Sequence, residues 1–92
     1  MQKEKHKFIL FISGMSVKSG RAIDNLKHIC DENLKDNFEL EIIDISIDRE
    51  KAITYQVFAL PTLIKLNPAP HRTVVGDLTD KKKVLKILDL EE

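Results

Sequence analysis

Ser16 and Ser19 stand with two residues between them in "FISGMSVKSGRAIDNL" (11–26), where an apolar run breaks at Gly14 and a helical pattern begins. Two cysteines at that spacing and junction would make a redox pair, but thiol–disulfide exchange needs a thiolate as both attacking and leaving group. A serine hydroxyl does neither, and no histidine adjoins Ser16 or Ser19 to activate it as a nucleophile. The pattern predicts helix capping by one of these serines and no catalytic residue. The one thiol, Cys30, falls on the buried stripe of the same helix, where a free cysteine packs as a small hydrophobe with a raised pKa. A single cysteine excludes an internal disulfide framework and points to a reducing compartment. His6, His28 and His71 lie far apart with no second ligand at a recognisable spacing, so neither a metal nor a cofactor is expected.

The elements that hold these residues belong to one domain spanning 1–92, with 42% hydrophobic and 33% charged residues, ordinary for a folded soluble chain. Fifteen Lys and Arg balance fifteen Asp and Glu, which leaves no net field for phosphate backbones or anionic lipid. Nucleic acid and membrane are not expected as partners. The run Phe8–Ile12 is too short to span a bilayer, and "MQKEKHK" lacks the apolar core of a signal peptide, so a cytoplasmic protein is expected.

Residues 7–13 read as a strand buried on both faces. Ile23, Leu26, Cys30 and Leu34 recur at three and four, with Ala22 and Ile29 beside them, and predict a helix over 17–34. "FELEIIDISI" (38–47) alternates until its phase slips at Ile42 and Ile43, predicting a second strand that grows more buried toward its end. A strand, helix, strand order implies a parallel pair and an α/β fold. Asp48 can cap a helix over 48–58, although Ile53, Thr54, Tyr55 and Val57 favour strand as well. "LPTLIKLN", "PAPH" and "RTVVGDLTD" predict an antiparallel hairpin, with Pro61 at a strand start or in a cis-proline turn. Thr79 or Asp80 can cap a last helix with Val84, Leu85, Ile87 and Leu88 inward and Lys81, Lys82 and Lys83 solvated.

The order β-α-β-α-β-β-α, with "ALPTL" opening the third strand, resembles the thioredoxin fold, whose Cys-x-x-Cys would fall on Ser16 to Ser19. A closer resemblance covers about residues 6–90. The succession "FISG", "SGRAIDNL", "LEIIDI", "ALPTLIKLNPAPHR", "VVGDLTDKKKVL" and "ILDL" is similar to the KaiB family of circadian clock proteins. Runner-up readings are the KaiB-like sensor domain of the kinase SasA and a thioredoxin-like redox or stress protein without its cysteines.

The family resemblance implies a non-enzymatic regulator that docks on the KaiC ATPase ring, captures KaiA and competes with SasA. It also implies two folds, a tetrameric ground state and a monomeric thioredoxin-like state, which differ in the C-terminal half. "KVLKILDL" (83–90) suits both a helix and a strand: Val84 and Ile87 are β-branched, and Asp89 alternates with Leu88 and Leu90. That segment, residues 51–58, and Pro61, Pro68 and Pro70 are where local propensity conflicts with a single packing, the condition for two folds close in energy. Arg21, Lys65 and Arg72 match basic positions the family uses at partner surfaces; a solvated charge is the plain reading of each. The chain departs from the family at Glu41 and Gln56, where lysine is usual, at Thr73 for arginine and at Ile87 for glycine. Fewer cations imply weaker steering toward an acidic partner, and isoleucine for glycine alters the C-terminal preference. The family's acidic tail is reduced to Glu91 and Glu92. These departures suggest a divergent member.

Overall fold

The computed structural model describes residues 5–90, and Glu91 and Glu92 of the expected acidic tail lie outside them. Strand β1 (His6–Ile12) leads into helix α1 (Val17–Asn33), strand β2 (Phe38–Asp44) and helix α2 (Arg49–Thr54). Strands β3 (Thr62–Asn67) and β4 (Arg72–Val75) follow, and helix α3 (Lys81–Ile87) closes the order. The four strands form one sheet in the order β2-β1-β3-β4, with β1 parallel to β2 and antiparallel to β3, and β3 antiparallel to β4. This is the expected β-α-β-α-β-β-α arrangement, with the apolar β1 in the middle.

Alternation along the strands divides the core in two. Phe8, Leu10 and Ile12 of β1 join Leu63 and Val74 beneath Ala22, Leu26, Ile29 and Cys30 of α1 and Val84 of α3. Ile9 and Phe11 point the other way and meet Ile43 and Ile64, with Ala52 and Val57 against them. The phase slip in β2 is a change of side: Phe38 and Leu40 pack with the α1 cluster, whereas Ile43 belongs to the α2 cluster.

Two boundaries fall short of the sequence expectation. β2 stops at Asp44 rather than at 47, because the Asp44 carboxylate accepts from the Ser46 N–H (2.9 Å) and hydroxyl (2.6 Å) and turns the chain. Ile47 beyond the turn is 85% exposed, so the expected burial of the strand end stops at Ile43. α2 ends at Thr54 rather than 58: Gln56 takes a left-handed φ of 56°, while the Val57 N–H bonds to Ala52 O (2.9 Å) and the Gln56 N–H to Ile53 O (3.1 Å). That pair of bonds is a Schellman stop, here built on a glutamine. β4 ends at Val75, where Gly76 adopts φ 115° and donates to Pro61 O (2.9 Å).

The ambiguous C-terminal segment takes its helical reading as α3, capped by the Asp80 carboxylate on the Lys83 N–H (3.2 Å). Pro61 lies immediately before β3 in a cis peptide, as the sequence allowed, and Pro68 and Pro70 are cis as well, in the β3–β4 turn.

Candidate functional site

Around Ser16 the expected capping is found. Ser16 Oγ accepts from the Ser19 N–H (3.1 Å), and the two hydroxyls are hydrogen-bonded to each other (2.9 Å). Ser19 is buried, so its hydroxyl serves the helix start and not a substrate. The approach from β1 is set by Gly14, whose left-handed φ of 62° suits glycine and whose N–H donates to Asp44 Oδ1 (3.0 Å). Asp44 thereby ties the ends of the two parallel strands together. Its pKa lies below the usual carboxylate range, chiefly through the Ser46 hydroxyl and then through the Gly14 and Ser46 N–H groups. Cys30 is fully buried on α1, and burial, reinforced by the neighbouring Asp31 charge, pushes its thiol up to about 12. It is a core side chain with almost no thiolate at neutral pH. Among the described residues no group of three His, Cys, Asp or Glu side chains is arranged to hold a metal ion, and no helix is long and apolar enough to cross a membrane.

The three basic residues singled out in the sequence fall in two places. Arg21 is exposed on α1 near the β4–α3 loop, where its charge, with that of Lys18, helps to lower the pKa of Asp77; the larger cause there is the Thr79 hydroxyl donating to the Asp77 carboxylate (2.6 Å). Lys65, expected among the surface charges, is 2% exposed in this fold, because position 65 shares its strand face with Leu63 under the helices. Its ammonium donates to Leu88 O (3.1 Å) and lies 3.7 Å from Asp89 Oδ2. Arg72 Nε approaches the same carboxylate oxygen (3.4 Å) from an exposed position on β4. The structure therefore brings Lys65, Arg72 and Asp89 together at the end of α3 and leaves Arg21 apart. Ile87 is half-buried in the last turn of α3, and Asp89 follows it with a left-handed φ of 58°.

Charge patterning alone missed the surface around α2. This helix of six residues is too short to cover its side of the sheet. Phe58 is 94% exposed, Ile53 75% and Val75 62%. Ile45, Ala52, Ile53, Val57 and Phe58 line an open apolar groove beside Arg49, and the floor of a second depression runs from Tyr55 to Thr73 and Val75 on β4. Phe11 and Tyr55 close the core beneath, with ring centroids 5.9 Å apart. Glu41, at one of the positions of departure, accepts from Lys51 of α2 (2.9 Å) and fixes the helix to the β2 edge. In the sequence the only signal for this face is the cluster Ile53, Val57 and Phe58, too long for a helix of six residues to bury.

Ser16, Ser19 and Cys30 thus serve as cap and core, and the face around α2 leaves a broad apolar surface exposed. Comparison with known proteins agrees on fold and family. The structure superposes on the N-terminal domain of SasA from Synechococcus elongatus with a TM-score of 0.77 at 20% identity, over 100% of this chain and 90% of that one. Chloroplastic thioredoxin z gives 0.75 at 13% identity, over 96% and 80%. At these identities the likeness is one of fold, and the fold is thioredoxin-like. In sequence, the circadian clock protein KaiB3 of Synechocystis sp. is 41% identical over 81 residues, covering 88% of this chain and 79% of its own length. The circadian clock oscillator protein KaiB of Rippkaea orientalis is 36% identical over 88 residues, covering 96% and 85%. The KaiB domain matches residues 9–90, nearly the whole described chain, and the chain belongs to the KaiB family.

Proposed function

We propose that this chain is a non-enzymatic clock regulator of the cytoplasm that docks on a KaiC-type ATPase ring, leaving catalysis to that partner. The observation that carries the reading is the bare apolar face around Ile53, Phe58 and Val75, on a thioredoxin-like fold whose redox positions hold capping serines. Burial of that face supplies affinity, and the exposed cations Arg21 and Arg72 steer and orient the encounter. Lys65, buried in this fold, meets the end of α3 at Leu88 O and contributes only indirectly. The SasA N-terminal domain has the same fold, which supports competition between the two proteins for one place on the ring, with a KaiA-type protein as a further partner.

The same reading includes a second packing. In a homotetrameric ground state the half of the chain from "ALPTL" onward is rearranged, with Pro61, Pro68 and Pro70 in the connecting segments and Ile87 and Asp89 in the segment that changes state. Its support is the double propensity of residues 83–90, helical here.

A pull-down with KaiC from the same organism tests the docking. The wild-type chain is expected to be retained and the Arg21→Ala, Arg72→Ala double variant to be retained weakly. Undiminished capture of the double variant removes these arginines from the surface, and no capture of the wild type removes KaiC as the partner. For the second packing, size measurement over a dilution series is expected to show a tetramer giving way to monomer. A monomer at every concentration counts against it.

A further inference from the structure

We propose that Lys65 is a buried release device for the C-terminal end of α3, capping the helix while it is docked and lowering the cost of lifting it. The side chain sits under the helices at 2% exposure, yet its ammonium has a single hydrogen bond among the described residues, to Leu88 O at 3.1 Å. The nearest carboxylate oxygen, on Asp89, is 3.7 Å away and is shared with Arg72 at 3.4 Å. A buried cation with one direct acceptor is poorly compensated for the water it has lost. Both groups that compensate it lie on residues 88 and 89, which close α3.

The geometry of that end makes it the place to open. α3 has seven residues, too few to persist without packing. Its last bonds are Leu88 N–H to Val84 O (2.9 Å), Leu90 N–H to Leu85 O (2.9 Å) and a long Asp89 N–H to Lys86 O (3.3 Å), around an aspartate at φ 58° where glycine is favoured. When the turn lifts, the ammonium loses Leu88 O and Asp89 but regains water. The burial of Leu88 then opposes opening, and the rehydration of Lys65 favours it. An apolar side chain at 65 would have no such gain. Lifting the turn uncovers part of the apolar cluster that includes Leu63 and Val74, so the device controls access to that strip.

Amide hydrogen exchange on the monomeric chain, at a dilution where size measurement finds no tetramer, reads the device directly, with the Leu88 and Leu90 N–H groups reporting the end of α3 and the Leu10 N–H of the central strand reporting global unfolding. Replacing Lys65 by methionine keeps the stem and removes the charge. Lys65→Met is expected to slow exchange at Leu88 and Leu90, relative to Leu10, by about tenfold. Unchanged or faster relative exchange overturns the proposal, because the ammonium would then be a net clamp or irrelevant. Asp89→Asn keeps the cation buried while removing its carboxylate, and provides the second arm if Lys65→Met does not fold. It is expected to speed exchange at Leu88 and Leu90 by about tenfold without a matching change at Leu10. No selective acceleration overturns the proposal equally.

Discussion

Phe58→Ala separates a docking face from a structural one. The ring is 94% exposed, so the folded chain gains little from it and its removal should change stability by no more than about 0.5 kcal/mol. For the same reason nearly all of its apolar surface remains available for burial by a partner. Full burial of a phenylalanine is worth about 1.5–3 kcal/mol, and an aromatic residue near the centre of an interface costs about 2 kcal/mol or more when truncated. The expected result is a loss of about 2 kcal/mol in KaiC binding, roughly thirtyfold in Kd, with an unchanged thermal midpoint. Titration of the fluorescently labelled chain with KaiC, beside a thermal melt of each protein, measures both quantities. A Kd within about threefold of wild type would refute a docking role for this face, since that corresponds to only ~0.65 kcal/mol. A midpoint lowered by many degrees would show that the ring supports the fold, and the exposure argument would fail.

Leu10→Ala, at a fully buried position of the central strand, should destabilise the chain by about 2–5 kcal/mol in urea titration. Gln56→Gly relieves the left-handed residue of the α2 stop and should raise stability by about 0.5–1 kcal/mol, read as a higher urea midpoint at an unchanged slope. Asp44 and Asp77 both have pKa values lowered in the fold, so the unfolded chain binds more protons in acid and their stabilisation is present above the unfolded pKa. It is lost as pH falls below about 4 through the folded values; Asp44→Asn should flatten the dependence of the melting temperature on pH in that range and leave its shape near pH 7 unchanged. Cys30, buried with its thiol pushed up to about 12, should react with a thiol reagent at pH 7 no faster than the chain unfolds, which a comparison of labelling and unfolding rates checks.

The features legible in the sequence are those written within a few residues of chain. The three-and-four spacing of Ile23, Leu26 and Cys30 is satisfied by one helix face, and α1 appears within a residue of its expected end. Ser16 caps because a hydroxyl at a strand-to-helix junction meets the first free N–H groups wherever the helix goes. Misjudged boundaries have causes that lie across the chain or in backbone conformation: Asp44 turns β2 while also bonding Gly14 thirty residues away, and Gln56 stops α2 in a conformation its side chain does not favour.

Element order, the parallel β1–β2 pair, the Ser16 cap and the family follow from residue types and their spacing, because periodicity, capping and proline placement act locally. The fate of a charge does not. Lys65 and Arg72 read alike as basic strand residues, yet one is buried against Leu88 and Asp89 and the other is exposed, because the register of β3 beneath α3 decides which side chain meets water. Nor does local pattern reveal how much of a sheet its helices cover: α2 ends one turn early, and Phe58 beyond that stop is left bare while Ile53 on the helix faces outward.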